Sequence, residues 1–268
     1  MHPLMDLESI KRIGIAAARE GGRVLVSRFG RITRIKEKKG DIDIVTEADF
    51  ESEAIIIKTI RKAFPDHAIL SEESGIGKGD PRFQWIIDPL DGTTNFAHGL
   101  KIFCVSIAFA LNGEVAMGVV FDPMAGELFL SVSGKGATLN GRPIFPSPSR
   151  KAAESLLVTG FPYNLKEIIG PLMTRLSACL KASRGVRRLG SAALDICYVA
   201  CGRFAGFWEQ NLNPWDTAAG YGIAREAGAV VTDFLNQPFA LDKREILVTN
   251  GHIHNEMISL LTIKEDEK

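Results

Sequence analysis

The chain has 268 residues, enough to bury a large core as one domain or as two closely packed halves. Lys and Arg together number 32, as do Asp and Glu, so no net charge attracts nucleic acid or an anionic membrane surface. Hydrophobic residues make up 46% and charged residues 24%, which excludes a generally disordered chain, and any strongly charged site must be local.

The N-terminal part combines two helical patterns with a series of strands. Apolar residues at helical spacing predict helices over residues 7–28 and 49–64, and Pro65 ends the second because it cannot continue a helix. Short apolar runs separated by Gly and Pro turns predict strands at residues 68–70, 85–87, 103–111, 115–121 and 127–132. We therefore expect an antiparallel sheet covered by the two N-terminal helices.

The C-terminal part alternates strands and helices. Strands are predicted at residues 156–159, near 186, at 204–208, near 230 and at 246–248. Helices are predicted at residues 171–180, 191–201 and 217–227, and Gly228 suits the position after the last of them. A Ser- and Pro-rich stretch at residues 145–149 separates the two parts. We expect an N-terminal α+β half at residues 1–145 and a C-terminal α/β half at 146–268 that completes a cleft with it.

Several features of the chain predict a cytoplasmic protein. The first twenty residues mix charges into the apolar pattern, which is not typical of a signal peptide. The longest apolar run, residues 103–111, is far shorter than the ~20 residues that span a bilayer. The four cysteines lie among apolar residues and are predicted to be small buried hydrophobes.

The most informative segment is residues 85–91, WIIDPLD, where an apolar run ends in two aspartates. Asp88 and Asp91 are three positions apart across Pro89, which restricts the backbone between them. Both carboxylates and the Leu90 carbonyl can then converge on one point. Carboxylate and carbonyl oxygens are the ligands that Mg²⁺ prefers, so this segment predicts a magnesium site.

The segment continues with residues suited to binding an anion. Gly92 allows the backbone to approach a ligand closely. Thr93 and Thr94 are predicted to open a helical turn whose N–H groups can hold a phosphate.

Two further groups of carboxylates can belong to the same site. Glu72 follows a predicted strand, and Asp216 begins a Gly- and Ala-rich predicted helix. Each has an ordinary alternative, because Glu72 and Glu73 can be loop charges and Asp216 can cap its helix. Loop charges and a helix cap explain each carboxylate singly, but they are a less satisfactory explanation for all of these carboxylates together.

Together these segments resemble the inositol monophosphatase family. Five blocks occur in the family's order: residues 46–49 (TEAD), 72–74 (EES), 88–96 (DPLDGTTNF), 190–193 (GSAA) and 215–216 (WD). The resemblance runs from about residue 7 to about residue 250, and five blocks are far more specific than one Asp-Pro-x-Asp-Gly. No position that would bind a metal departs from the family's pattern.

The resemblance implies a layered αβαβα sandwich of the inositol monophosphatase and fructose-1,6-bisphosphatase type, with two or three Mg²⁺ ions. Glu72, Asp88 and the Leu90 carbonyl would bind the first ion, and Asp88, Asp91 and Asp216 the second. A third, weaker ion would lie near Glu72. The resemblance also implies inhibition by lithium at the second site, and we expect a homodimer.

The resemblance assigns catalytic and substrate-binding roles as well. Thr93, oriented by Asp49, would position the attacking water together with Glu72. The backbone of Gly92 and Thr93 would hold the phosphate. The remaining substrate contacts are implied for Asp91, Ala192, Glu209 and Asp216.

These roles predict hydrolysis of small phosphate monoesters by direct attack of a metal-activated water, with myo-inositol 1-phosphate as the leading substrate. No Ser, Cys or His nucleophile motif is evident. Metal binding can lower the pKa of water from 15.7 to about 7, which supplies hydroxide near neutral pH.

Other functions share this scaffold. The enzyme alternatives are a fructose-1,6-bisphosphatase or dual-specificity sugar phosphatase, a 3′-phosphoadenosine nucleotide phosphatase and a histidinol-phosphatase. The Thr94-Asn95-Phe96 sequence resembles the inositol phosphatase branch, and Glu209 suits a polyol because a carboxylate accepts hydrogen bonds from hydroxyls. The non-enzyme alternative is a regulatory binding protein, against which the retention of every metal-ligand position argues.

Overall fold

The computed structural model describes residues 6–31, 35–37, 44–162 and 165–263, and these contain seven α-helices. The helices are α1 (Leu7–Arg28), α2 (Glu47–Ala63), α3 (Thr93–Ala97), α4 (Leu165–Ala182), α5 (Ala192–Ala200), α6 (Pro214–Ala227) and α7 (His254–Leu261). No helix in this described part of the chain is long and apolar enough to cross a bilayer.

Within the residues that the structure describes, the first half of the chain carries ten strands. Strands β1 (Ile35–Glu37) and β2 (Ile44–Thr46) pair with each other. The others are β3 (His67–Ser71), β4 (Gly75–Ile76), β5 (Asp80–Asp91), β6 (Cys104–Leu111), β7 (Glu114–Asp122), β8 (Glu127–Val132), β9 (Ala137–Leu139) and β10 (Arg142–Pro143). These eight form one sheet in the order β10-β9-β8-β7-β6-β5-β3-β4.

The expectation of a purely antiparallel first sheet is wrong at one pair of strands. Strands β3 and β5 run parallel. The reason is that β4 turns back along the outer edge of β3, so the chain reverses once more before β5 begins. The carboxyl ends of β3 and β5 therefore lie side by side, and both lead into the segments with the candidate carboxylates.

The second half carries a five-stranded sheet. Its strands are β11 (Leu156–Thr159), β12 (Gly185–Arg187), β13 (Gly206–Gln210), β14 (Val230–Thr232) and β15 (Glu245–Thr249), in the order β12-β11-β13-β15-β14. This sheet is mixed, because β11 is parallel to both neighbours while β15 is antiparallel to β13 and β14. All its strands follow residue 145, but the proposed division into two halves stays a prediction.

The elements stack in five layers. Trp85 and Ile87 on one face of β5 pack with α1 and α2, whereas Ile86 on the other face packs with α5 and α6. The opposite face of the α5–α6 layer covers the second sheet through Val158 and Phe207. Helices α4 and α7 cover its far face. The predicted αβαβα sandwich is confirmed.

Helix α4 differs most from its predicted extent, and α7 has no predicted counterpart. Helix α4 begins before Pro171, which the sequence favoured as a helix start, and Pro171 lies on the exposed side of the helix. Helix α7 was not predicted. Its apolar side, with Met257 and Leu261, is buried only because the second sheet lies beneath it.

The contact between β7 and α6 allows a test of this packing. A Cβ on Gly118 would lie 2.5 Å from the Ala219 carbonyl oxygen, so we expect Gly118→Ala to lower the free energy of unfolding. Overpacking of this kind typically costs ~1–3 kcal/mol. The matched control is Gly170→Ala in α4, where no atom lies within 4 Å, and it should stabilise by ~0.5–1 kcal/mol. The measurement is the urea unfolding midpoint of each variant. If both midpoints move in the same direction relative to wild type, the close contact between β7 and α6 is contradicted.

Candidate active site

One cleft brings together the side chains identified from the sequence. It lies where β5, α5 and α6 meet and contains about 880 Å³ of space that protein atoms do not fill, part of it open to solvent. The predicted site residues that line it are Glu72, Asp88, Leu90, Asp91, Gly92, Thr93, Ala192, Glu209 and Asp216. Asp49 lies behind Thr93 rather than on the wall.

A bulge in β5 aims both aspartates into this cleft. Asp88 pairs with Ser106 and Asp91 pairs with Cys104, so β5 contains one more residue than β6 between these pairs. Residues three apart in a regular strand point to opposite faces, and the extra residue brings the second aspartate back to the side of the first. Pro89 is tolerated within the bulge because it has no N–H to contribute to the ladder.

Hydrogen bonds from the second half of the chain fix the orientation of the Asp91 carboxylate. Its Oδ2 accepts from Ser191 Oγ at 2.6 Å and from Ala193 N at 2.8 Å. The Cys104 thiol, predicted only as a buried hydrophobe, is buried and also lies 3.7 Å from the same oxygen. Such partners hold a metal ligand in position. The sequence did not identify Ser191 or Cys104 in this role, although Ser191 lies within the GSAA block.

Asn95 was also missed as a supporting residue. Its Nδ2 donates to the carbonyl of Ile102 at 2.8 Å and to the carbonyl of Leu189 at 2.7 Å. The bond to Leu189 ties α3 to the loop that precedes α5, whereas the bond to Ile102 stays within the segment between α3 and β6. The Leu189 bond therefore holds the two walls of the cleft together.

Asp88 and Asp216 are each held by one backbone N–H. The Leu90 N–H donates to Asp88 Oδ1 at 2.9 Å, and the Asn213 N–H donates to Asp216 Oδ2 at 2.6 Å. The second bond is part of a capping box at the start of α6, so the ordinary interpretation of Asp216 as a capping residue is partly correct. The same side chain also lines the cleft.

Glu72 reaches the cleft from the end of β3. Its N–H donates to the Ile87 carbonyl at 3.2 Å, so Glu72 lies beside the C-terminal part of the neighbouring strand β5. Its half-buried side chain lines the cleft together with Asp88.

Thr93 and Asp49 form a buried pair next to the carboxylates. Thr93 Oγ1 lies 3.1 Å from Asp49 Oδ1 and 3.0 Å from the Leu90 carbonyl oxygen, so its single hydrogen has two possible acceptors. The other Asp49 oxygen, Oδ2, accepts from the Thr46 N–H at 2.8 Å and the Thr46 hydroxyl at 2.6 Å. Burial raises the pKa of Asp49 to about 6 despite these bonds.

The carboxylates repel one another in the absence of a cation. Burial raises the pKa of Asp88 well above its ordinary value, and the charges of Glu72 and Asp91 raise it further. Burial also raises the pKa of Asp216, followed by the charge of Glu72. A bound cation would favour the ionised forms and remove this repulsion.

The donor set fits magnesium. All the candidate ligands are oxygens, as Mg²⁺ prefers. Within the described residues, no three His, Cys, Asp or Glu side chains form a group that could hold an ion by themselves. Mg²⁺ differs from zinc here, because it usually takes one or two carboxylates and completes its shell with water and phosphate oxygens. A site with spaced carboxylates and the Leu90 carbonyl meets that requirement.

The far wall of the cleft is formed by Glu209 and Ala192. Glu209 extends from β13, and its carboxyl lies so close to Gly160 that a Cβ there would be within 2.3 Å of both carboxyl oxygens. Burial, and then the charge of Asp216, raises the pKa of Glu209 to about 8. Ala192, the first residue of α5, keeps this part of the cleft open because its side chain is small.

The raised pKa values predict how the metal-free protein responds to pH. Between its unfolded and folded pKa, a buried acid holds its proton only in the folded chain, so stability falls as pH rises through that window. For Asp49 the window runs from 3.8 to about 6, and for Glu209 from 4.5 to about 8. With chelator present, we expect the thermal midpoint to be several degrees higher at about pH 5.5 than at about pH 8.

Magnesium should reverse this trend at the higher pH, because the ion binds ionised carboxylates and stabilises the folded chain. A midpoint that rises with pH in chelator, or a midpoint at about pH 8 that Mg²⁺ leaves unchanged, would contradict this account of the carboxylates.

Comparison with known proteins agrees with the geometry. The model of the inositol monophosphatase family matches residues 6–265. The chain is 45% identical to an inositol-1-monophosphatase of Synechocystis over 96% of this chain and 90% of that protein. It is 45% identical to the Nus factor SuhB of Vibrio cholerae, over 87% of this chain and 86% of that protein.

Solved structures give the same result. The crystal structure of extragenic suppressor protein suhB from Bartonella henselae superposes with a TM-score of 0.91 at 38% identity, over 95% of this chain and 98% of that one. The chain therefore belongs to the inositol monophosphatase family, a family of phosphate monoester hydrolases.

Proposed function

We propose that this chain is a Mg²⁺-dependent phosphatase that converts myo-inositol 1-phosphate into inositol and phosphate. The observation that carries the proposal is the meeting of four carboxylates from three distant segments in one cleft, which is also lined by the carboxyl groups of Glu209 and Asp195. The name of the Synechocystis relative supports the choice of inositol. The substrate is a small molecule, and we also propose a homodimer as the assembly.

The metal-binding residues would divide between two main ions. Glu72, Asp88 and the Leu90 carbonyl would hold one, while Asp88, Asp91 and Asp216 would hold the other, with a weaker third near Glu72. When bound, Mg²⁺ neutralises the charge of the phosphate dianion and lowers the pKa of a bound water.

The hydroxyl of Thr93 would position the attacking water. Its hydrogen can go to Asp49 or to the Leu90 carbonyl, which lie at similar distances. If the carbonyl is committed to a cation, the hydroxyl donates to Asp49 instead and turns its lone pairs towards water. Glu72 lines the same cleft and can accept a proton from that water.

The turn after β5 would hold the phosphate. Gly92 has a φ of 99°, and a Cβ there would lie 2.9 Å from the Ile102 carbonyl oxygen. A side chain is therefore excluded at this position, and the backbone N–H groups of Gly92 and Thr93 would bind the phosphate.

The far wall would bind the inositol ring. Glu209 and Asp91 can accept hydrogen bonds from ring hydroxyls, and Ala192 leaves room for the ring itself. This arrangement suits a polyol better than a nucleotide base, because among the described residues Phe161 is the only aromatic one that lines the cleft.

A phosphate-release panel tests the choice of substrate. It compares inositol 1-phosphate with fructose 1,6-bisphosphate, phosphoadenosine phosphate and histidinol phosphate at saturating Mg²⁺. We expect the highest kcat/KM for inositol 1-phosphate. If any of the other three has a higher kcat/KM, that compound is the better substrate and the choice of inositol 1-phosphate is wrong. The assignment of phosphatase activity would still stand.

The identity of the ligands predicts the ion dependence. Activity should require Mg²⁺, and Ca²⁺ should inhibit because its larger, irregular coordination sphere disturbs in-line attack. Lithium should also inhibit, by occupying the second site. The measurement is phosphate release in chelator, in Mg²⁺, and in Mg²⁺ with added Ca²⁺ or Li⁺. Full activity in excess chelator would refute a metal-dependent mechanism.

A regulatory binding role is the second candidate, favoured by the name of the Vibrio relative, a Nus factor. Isothermal titration with Mg²⁺ together with phosphate release separates the two candidates. Ion binding without turnover of any phosphate in the panel would favour the regulatory role, whereas turnover would establish the enzyme.

A further inference from the structure

Asp195 is an anomaly in this cleft. It lies in α5, only 1% of its surface is exposed, and neither carboxyl oxygen has a hydrogen-bond partner among the described residues. Buried carboxyl groups nearly always have partners, because an unsatisfied polar group costs free energy and an unpaired charge costs more. The other buried side-chain atom without a partner in this part of the chain is the neutral hydroxyl of Ser71.

The surroundings of Asp195 point towards the cleft as the source of its missing partner. The side chain lines the cleft next to Glu209, and its neighbours along α5, Leu194 and Ile196, are buried apolar residues that offer no donor. The charges of Glu209 and Asp91 act on Asp195 and raise its pKa in addition to the effect of burial. A hydrogen-bond donor that approaches from the cleft would supply the missing partner and reduce the repulsion by the two neighbouring acids.

The one basic residue among those described on the cleft wall does not supply that donor. Arg188 is exposed, and its guanidinium carbon lies 5.7 Å from the centre of the Phe161 ring. No ion pair joins Arg188 to Asp195 in the described part of the chain, although the positive charge is near enough to lower the pKa of that acid slightly. Since no described residue supplies a partner for Asp195, a ligand in the cleft is the candidate donor.

We propose that Asp195 is a specificity-determining residue that accepts a hydrogen bond from a hydroxyl of the substrate's polyol, beside Glu209. Both oxygens are shielded in the free protein, but no hydrogen bond holds the carboxyl, so it can turn towards the cleft without breaking one. This inference rests on the proposed function, because it requires a phosphate ester that carries hydroxyl groups.

The test compares a polyol phosphate with a phosphate that has no hydroxyl groups. We expect Asp195→Ala to lower kcat/KM for inositol 1-phosphate about tenfold to a hundredfold, as loss of a hydrogen bond to a charged group does. Asp195→Asn should lose less, because its carbonyl oxygen can still accept a hydrogen bond from a hydroxyl. Hydrolysis of p-nitrophenyl phosphate should change little. The matched control is Asp242→Asn, an exposed aspartate that does not line the cleft, and it should leave both rates unchanged.

Thermal unfolding separates recognition from a structural role. Because Asp195 has no partner in the folded chain, its replacement should keep or raise the thermal midpoint. The inference is overturned if both substrates lose activity equally, if inositol 1-phosphate loses none, or if the midpoint falls by several degrees. Failure of the proposed function gives a different result: the wild type itself hydrolyses p-nitrophenyl phosphate but no polyol phosphate, and the inference about Asp195 then fails with it.

Discussion

The Asp91→Asn variant is expected to lose several orders of magnitude in kcat for phosphate release while it keeps its fold. Asn retains one carbonyl oxygen, which can still accept from Ser191 Oγ and Ala193 N, the donors that orient Asp91. Its second group is then an uncharged amide that donates hydrogen bonds and cannot bind a cation. The change therefore removes a metal ligand and leaves the local hydrogen bonds in place.

The thermal stability of the Asp91→Asn variant is expected to change in the opposite sense from its activity. Without metal, the Asp91→Asn midpoint should equal or exceed that of wild type, because one of several mutually repelling carboxylates has been removed. The control is Asp122→Asn, a buried aspartate outside the cleft that accepts from the N–H groups of Met124 and Ala125 at 2.8 Å. That variant should be slightly less stable and fully active. Near-wild-type turnover of Asp91→Asn at saturating Mg²⁺ would rule out the two-metal assignment.

The second large effect concerns Thr93. If its hydroxyl positions the attacking water, Thr93→Ala should lower kcat by about 10²-fold or more, because misplacement of a reacting group from its productive geometry costs about that much. KM should change little, because the lost interaction forms mainly in the transition state. Thr93→Ser keeps the hydroxyl 3.1 Å from Asp49 and should retain much of the rate. Steady-state kinetics on the three proteins measures both parameters.

A covalent role for Thr93 makes a different prediction. A phosphothreonine intermediate would give a burst of leaving group and a phosphorylated peptide that contains Thr93, with configuration retained at phosphorus. Direct attack by water gives inversion and no such peptide. Detection of the phosphorylated peptide would overturn direct attack, although the chain would still be a phosphatase.

Most of the candidate site could be predicted from the sequence because its candidate metal ligands lie in short local motifs. Asp88 and Asp91 are three residues apart in one segment, and the carboxylate chemistry of that segment indicated a hard cation. The bulge that makes this spacing work depends on the pairing of β5 with β6, and no local pattern predicted it. Ser191 and Asn95 act across the cleft, so their partners depend on tertiary structure.

In the fold, too, the elements set by local sequence patterns could be predicted, whereas those set by tertiary contacts could not. Apolar periodicity predicted α1 over its observed residues, because one face of a long amphipathic helix is visible in the sequence. The parallel pairing of β3 with β5 was not predicted, since it follows from the reversal at β4. Helix α4 passes through Pro171 against its local preference, because packing on the second sheet outweighs the lost hydrogen bond.

Phosphate release from myo-inositol 1-phosphate, before and after Mg²⁺ is returned to the chelated protein, tests the central claim most directly. The account predicts no release in chelator, release that saturates with Mg²⁺, and none above background when Asp91→Asn receives the same Mg²⁺. Release by wild type that is independent of Mg²⁺, or an Asp91→Asn variant that responds to Mg²⁺ as wild type does, would contradict the claim that this carboxylate cleft is a magnesium-dependent phosphatase site.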